Sequence, residues 1–177
     1  QGRIDRIDVG RKDGKVYVRV VDYKSGSTRF DLTSIYYGLQ LQLAVYLNAA
    51  VELKRRQQDG DGEVHPAGMF YYHIEDPMLD YEEEEDPAKK LLKELALGGL
   101  VSAEDGVAEL MDREMETGSD ILPVRRKKDG GYTAASPVAE EEQVELLMGH
   151  VKRRVAEYGE RILHGDIRLD PYEMGTD

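Results

Sequence analysis

Residues 3–24 read Arg-Ile-Asp-Arg-Ile-Asp-Val-Gly-Arg-Lys-Asp-Gly-Lys-Val-Tyr-Val-Arg-Val-Val-Asp-Tyr-Lys: two runs rich in β-branched residues on either side of Asp13-Gly14. Asp-Gly between alternating apolar residues is a strong hairpin signal, because both turn positions require positive φ. Strands are therefore expected over 3–9 and 15–23. With Asp13 and Gly14 at the centre of a two-residue turn, residues 12 and 15 face each other and every cross-strand pair sums to 27. Asp5 then opposes Asp22. Alternation places Asp5, Ile7 and Val9 on one sheet face with Val18, Val20, Asp22 and Lys24. That face is apolar near the turn and carries two carboxylates and an ammonium at its open end. A bulge would shift the pairing.

Opposed residues on paired strands have Cβ atoms about 4.5–5.5 Å apart, and like charges there destabilise the sheet. A divalent cation between Asp5 and Asp22 removes the repulsion, and hard oxygen ligands suit Mg²⁺ or Mn²⁺. The backbone carbonyl of Tyr23 is a candidate third ligand. Lys24, on the same face, is placed to position an attacking water and to stabilise negative charge at a pentacovalent phosphorus. Whether it also acts as a general base depends on burial against nearby carboxylates, and both outcomes stay open. The plainer reading is a surface hairpin in which Asp5 pairs with Lys24 and Asp22 with Arg3.

Downstream, Ser34 to about Arg56 reads as one long helix with apolar positions Leu39, Leu43, Tyr46, Leu47, Ala50 and Leu53, and with Asp31, Thr33 and Ser34 as candidate caps. Met69-Phe-Tyr-Tyr-His-Ile74 is the next strand, stopped by Asp76-Pro77, which makes a strand–helix–strand unit with a partly parallel sheet. The acidic run Asp80–Asp86 reads as a solvated loop. A short helix is expected from Asp86-Pro87 to Gly98-Gly99, another from the capping-box-like Ser102-Ala-Glu-Asp105, and a hairpin at 121–124 and 132–135. Ser136-Pro137 opens a long helix with the stripe Val144, Met148, Val151, Val155, Tyr158 and Ile162, ending at Gly165. The whole is one domain over 1–177, with 78–120 as a helical insertion.

The chain has 177 residues, 40% hydrophobic and 34% charged, without Cys or Trp. The lack of Cys excludes disulfides, thiolate-held zinc or iron–sulfur clusters and thiol chemistry within these residues. No run approaches the ~20 apolar residues of a membrane span, and no signal-peptide layout opens the chain. The net charge of −12 argues against a polyanion partner, but its distribution is uneven. Residues 1–58 carry 11 Lys/Arg against 6 Asp/Glu, while 59–177 carry 13 against 30. The basic third contains the candidate site, as a local polyanion site would require.

The ordered set Gly2-Arg-Ile-Asp5, Asp22-Tyr23-Lys24-Ser25-Gly26 and Gln42-Leu-Ala-Val-Tyr46 resembles the RecB-like branch of the PD-(D/E)xK nucleases. The runs from Asp31 to Leu43 and from Gly68 to Pro77 are more closely similar to the AddB-type (RexB-like) C-terminal nuclease domain of helicase–nucleases. That resemblance implies a restriction-endonuclease-like mixed sheet flanked by helices. Asp5 and Asp22 would be metal ligands, Asp22 and Lys24 the Asp-x-Lys pair, and Gln42 and Tyr46 the catalytic Gln-x-x-x-Tyr pair on the following helix. It further implies Mg²⁺-dependent hydrolysis of DNA to 5′-phosphate ends during double-strand-break repair and recombination. The DNA would be a single strand emerging from the motor of an AddA-type partner, in the bacterial cytoplasm. Full-length members of the family also hold a [4Fe–4S] cluster through four Cys, and the absence of Cys here is expected of an excised core.

Other groups carry less. His73 reads as a satisfied core residue, and His65, His150 and His164 show no metal-ligand spacing. Arg125–Lys128 and Lys152–Arg154 read as a polar hairpin tip and a solvated helix face before phosphate contacts. No phosphate loop of an ATPase occurs. Two other readings remain open: a catalytically silent nuclease-like scaffold that guides DNA or braces a partner, and a related RecB-like enzyme such as a CRISPR-associated or stand-alone nuclease.

Overall fold

The hairpin folds in the expected register. Strands β1 (Arg6–Lys12) and β2 (Lys15–Lys24) pair antiparallel, Lys12 opposite Lys15 and Arg6 opposite Val21. Asp13 (φ 50°) and Gly14 (φ 79°) supply the two positive φ angles of the turn. The computed structural model describes residues 3–57, 62–74 and 87–169, the Lys89 side chain apart. The acidic run Asp80–Asp86 and the Asp76-Pro77 stop lie outside the described residues.

The expected long helix is two. Helix α1 (Leu32–Tyr36) is capped by Asp31, whose carboxylate accepts the Thr33 and Ser34 N–H groups at 3.0 and 2.9 Å. Helix α2 (Gln42–Gln57) begins after a break at Gly38, which has φ +86°. A Cβ at Gly38 would lie 2.1 Å from the Tyr158 hydroxyl, so both the backbone angle and the close approach demand glycine. The break rotates Leu39 out of the helical phase and leaves it exposed. Leu53 is exposed as well, whereas Leu43, Leu47 and Ala50 are buried as expected.

Strand β3 (Val64–His73) runs parallel to β2 and starts five residues before the expected Met69. Pro66 hid the extension, because proline cannot donate to a ladder. The structure accommodates it with an irregularity: Val18 faces Pro66 and Arg19 faces Gly68, so that Ala67 is the extra residue. After helix α3 (Pro87–Glu94), Gly98-Gly99 opens strand β4 (Gly98–Ser102) where a helix stop was expected. Gly99 pairs with Phe70, and a Cβ there would meet the Met69 carbonyl oxygen at 2.1 Å. Five residues led by two glycines carry no periodicity to read. The 78–120 segment thus contributes α3, a sheet strand, and the short helix α4 (Val107–Met111), which begins later than the expected Ser102.

Residues 121–135 form no regular hairpin. Two isolated bridges, Gly118–Arg125 and Arg126–Tyr132, hold an irregular segment that buries Leu122 and Val124. Strand β5 (Val138–Ala139) follows where a helix start was expected, and α5 (Glu141–Leu163) starts three residues later. Gln143 Oε1 accepts the Glu140 N–H at 2.9 Å at its start. Val144, Met148 and Val151 are buried, but Val155 and Ile162 are exposed, because the last turns of α5 run past the core.

The sheet order is β1-β2-β3-β4-β5, antiparallel, parallel, antiparallel and parallel in turn. One core lies between the sheet face of Val16, Val18, Val20 and Tyr71 and helices α1, α2 and α5. The other packs Val21, Phe70 and Val101 against α4 and the 115–124 segment. The face shared by Val18, Val20 and Asp22 is therefore the one α2 covers, which brings Gln42 over the end of β2. Among the described residues no helix is long and apolar enough to cross a membrane.

Candidate active site

Asp22 and Lys24 close β2, where the apolar alternation of the strand drives Asp22 under α2. Asp22 is only 3% exposed. Its Oδ1 accepts a hydrogen bond from Gln42 Nε2 at 3.2 Å. Its Oδ2 is buried and takes no aligned hydrogen bond, while the Lys24 ammonium lies 2.7 Å away as an ion pair. Lys24 Nζ donates to Gln42 Oε1 at 2.8 Å and sits 5.3 Å from the centre of the Tyr71 ring. Gln42 Nε2 also reaches the Tyr46 hydroxyl at 3.1 Å. Gln42 and Tyr46 are one helical turn apart and share a face, so a single amide ties the tyrosine, the carboxylate and the ammonium together.

Asp5 stands just before β1 and is exposed. Its Oδ2 accepts the Tyr23 backbone N–H at 3.0 Å, which holds the carboxylate beside the end of β2. The contact with Asp22 raises the Lys24 pKa above its ordinary value; burial opposes this, and the charges of Asp22 and Asp5 reinforce it. Lys24 is thus an ammonium ion at neutral pH. In this arrangement it is suited to stabilising negative charge, not to taking up a proton. All five expected side chains, Asp5, Asp22, Lys24, Gln42 and Tyr46, gather at one end of the β1–β2 hairpin.

The donor set fits a hard divalent cation. Asp5 is held beside the end of β2 by the Tyr23 N–H, and the buried Asp22 Oδ2 has no aligned donor of its own. Oxygen ligands of this kind suit Mg²⁺ or Mn²⁺.

The remaining candidates are occupied structurally. His73 is half-buried and lies 2.7 Å from the Thr28 carbonyl oxygen, so it is satisfied but outside the core. Arg126 pairs with Glu109 at 2.6 Å and stacks over Tyr132, which makes the middle of the 125–128 basic run a brace. Lys152 pairs with Glu52, and Arg154 with Glu157 at 3.1 Å. His65, which has no metal-ligand spacing in the sequence, has ligand-type neighbours in three dimensions. His65, Glu104 and Glu141 offer ligand atoms within 4.8 Å of one another. They come from three elements, 39 and 37 residues apart in turn, a separation at which no sequence pattern signals contact.

A mixed sheet with helices on both faces, a long C-terminal helix and Asp-x-Lys at the end of the hairpin defines a restriction-endonuclease-like α/β fold. The chain belongs to the PD-(D/E)XK nuclease superfamily, whose sequence profile matches residues 1–174. It is similar to proteins named as the B-type subunit of an ATP-dependent helicase/deoxyribonuclease. The one from Lachnoclostridium phytofermentans is 45% identical over 97% of this chain and 16% of that protein. The one from Alkaliphilus metalliredigens is 39% identical over 100% and 16%, and that from Clostridium acetobutylicum 40% identical over 99% and 15%. The chain therefore spans about one sixth of the length of these relatives.

Proposed function

We propose that this chain is the divalent-metal-dependent nuclease domain of such a B-type helicase/deoxyribonuclease protein and hydrolyses DNA phosphodiesters with Mg²⁺ or Mn²⁺. One observation carries the proposal: the buried Asp22 carboxylate with Lys24 at 2.7 Å and Gln42 bridging both. Asp5, Asp22 and the Tyr23 carbonyl would hold the ion. The ion would supply Lewis acidity and an ionised water at neutral pH. Lys24, aimed by Gln42 Oε1, would neutralise charge developing on the scissile phosphate. Tyr46 would keep the Gln42 amide in the rotamer that serves both Asp22 and Lys24.

The names of the relatives support a wider setting. They speak of an ATP-dependent helicase joined to a deoxyribonuclease; to this we add a strand delivered by the motor, an AddA-type partner, and double-strand-break repair in the bacterial cytoplasm. The decisive assay offers single- and double-stranded DNA with Mg²⁺ or Mn²⁺, with and without chelator. It compares the chain with Lys24→Ala and Asp22→Asn variants verified as folded by circular dichroism. Cleavage should require the metal and vanish in both variants. Cleavage retained in folded Lys24→Ala would refute the assignment, and no Mn²⁺ uptake by calorimetry would favour a silent scaffold.

A further inference from the structure

The opposite end of the sheet carries a second cluster of ligand-type side chains, independent of the nuclease site. Tyr17 of β2 pairs with His65 of β3, whereas Asp22 pairs with Tyr71. Five residues of strand separate the two ends, about 17 Å at ~3.3 Å per residue. His65 is 7% exposed. Its Nδ1 lies 2.6 Å from Glu141 Oε1, at the first turn of α5. Its Nε2 is buried and takes no hydrogen bond, although the Glu63 carboxylate lies 3.3 Å away. Glu104, in the turn after β4, completes the group. Lys15 and the Tyr17 hydroxyl both donate to its Oε1 at 2.7 Å, and among the described residues its Oε2 takes no hydrogen bond.

We propose that His65, Glu104 and Glu141 form a second metal site, for a borderline transition-metal dication of the Zn²⁺ class. Imidazole with carboxylates is a donor set for Zn²⁺, not for the all-oxygen shell of Mg²⁺. The ligand atoms lie within 4.8 Å of one another and His65 Nδ1 is already 2.6 Å from Glu141 Oε1, so the ~3.3 Å spacing around a tetrahedral ion calls for a small side-chain adjustment. Half-exposed Glu141 can supply it by rotation. Glu63 lies 3.3 Å from the buried ring nitrogen, near enough to serve as an outer carboxylate once the imidazole takes a metal.

His65 and Glu141 line a 570 Å³ cavity together with Glu63, Glu142 and Glu145. Arg55, the basic residue on that wall, is spent on the Val64 carbonyl oxygen at 3.0 and 3.3 Å. An acidic mouth concentrates cations. An ion held there would tie β3, the turn after β4 and the start of α5 together. It would brace the sheet end distal to the proposed chemistry.

The test is calorimetric titration of the chain with Zn²⁺ in excess Mg²⁺, repeated with Asp22→Asn, His65→Gln and Glu141→Gln. One Zn²⁺ per chain is expected for the unaltered chain and for Asp22→Asn. At least tenfold weaker binding is expected for the other two. Co²⁺ should give an intense tetrahedral absorption band that follows the same pattern, and Zn²⁺ should raise the melting temperature only where it binds. Glu141→Gln alters a side chain that is 39% exposed, so the comparison survives if His65→Gln fails to fold. No Zn²⁺ uptake over Mg²⁺, or uptake lost in Asp22→Asn yet kept in Glu141→Gln, overturns the proposal.

Discussion

Replacing Lys24 by Met removes the charge that balances Asp22 while keeping most of the aliphatic stem against Tyr71. Breaking a buried ion pair from one side costs ~3–5 kcal/mol. Here the Lys24 side chain is 25% exposed and Gln42 keeps its bond to Asp22, which brings the expected loss to about 2–3 kcal/mol. For a domain of this size that corresponds to a fall in melting temperature of roughly 5–10 °C. Mn²⁺ held, as proposed, by Asp5 and Asp22 would replace the missing positive charge. It should therefore restore most of the loss and raise the variant's melting temperature more than that of the unaltered chain. DNA cleavage should nevertheless stay depressed by about 10²–10³-fold, because the variant lacks the ammonium proposed to stabilise the transition state. Thermal melts at neutral pH with and without Mn²⁺, beside a cleavage assay, read both effects. A metal-free variant that melts with the unaltered chain, or an equal Mn²⁺ shift in both, would refute the role of Lys24 as counter-ion to Asp22.

Gln42→Leu should lower cleavage by about tenfold or more, since Lys24 and Asp22 lose their shared amide, while Tyr46→Phe, which removes one 3.1 Å contact, should cost less. Initial rates under saturating metal decide the order, and the reverse ranking would contradict the network. Burial alone would raise the Asp8 pKa, but hydrogen bonds from Arg6 and Arg19 pull it below the ordinary carboxylate value. Its stabilisation is therefore fully present above the unfolded pKa and lost as pH falls through the folded one. The stability difference between the chain and Asp8→Asn, about 1 kcal/mol at neutral pH, should vanish in acid melts below that range. Gly99→Ala should destabilise by more than about 3 kcal/mol, because its Cβ would meet backbone on the paired strand, and denaturant midpoints check it.

The likeness to PD-(D/E)xK nucleases rested on short runs, and those runs are where local chemistry is strongest. Asp13-Gly14 permits one tight turn, the turn sets the pairing, and period-two alternation then assigns Asp22 and Lys24 to a face. Gln42 and Tyr46 share a helix face by periodicity alone. Each of these inferences spans at most a few residues of chain, so the composition of that stretch sufficed.

Tertiary structure decided what depends on distant partners. Gly98-Gly99 reads as a stop until Phe70 lies across it, and then its lack of side chains is what lets β4 join the sheet. Pro66 reads as a break until Ala67 bulges out opposite β2. The helix at 34–56 reads as continuous until the Tyr158 ring occupies the space beside Gly38. Likewise the exposed end of α5 carries the same apolar periodicity as its buried start; only the extent of the sheet beneath it separates the two. The pairing of His65 with Glu104 and Glu141 is of the same kind, because strand order brings together side chains that no local rule relates.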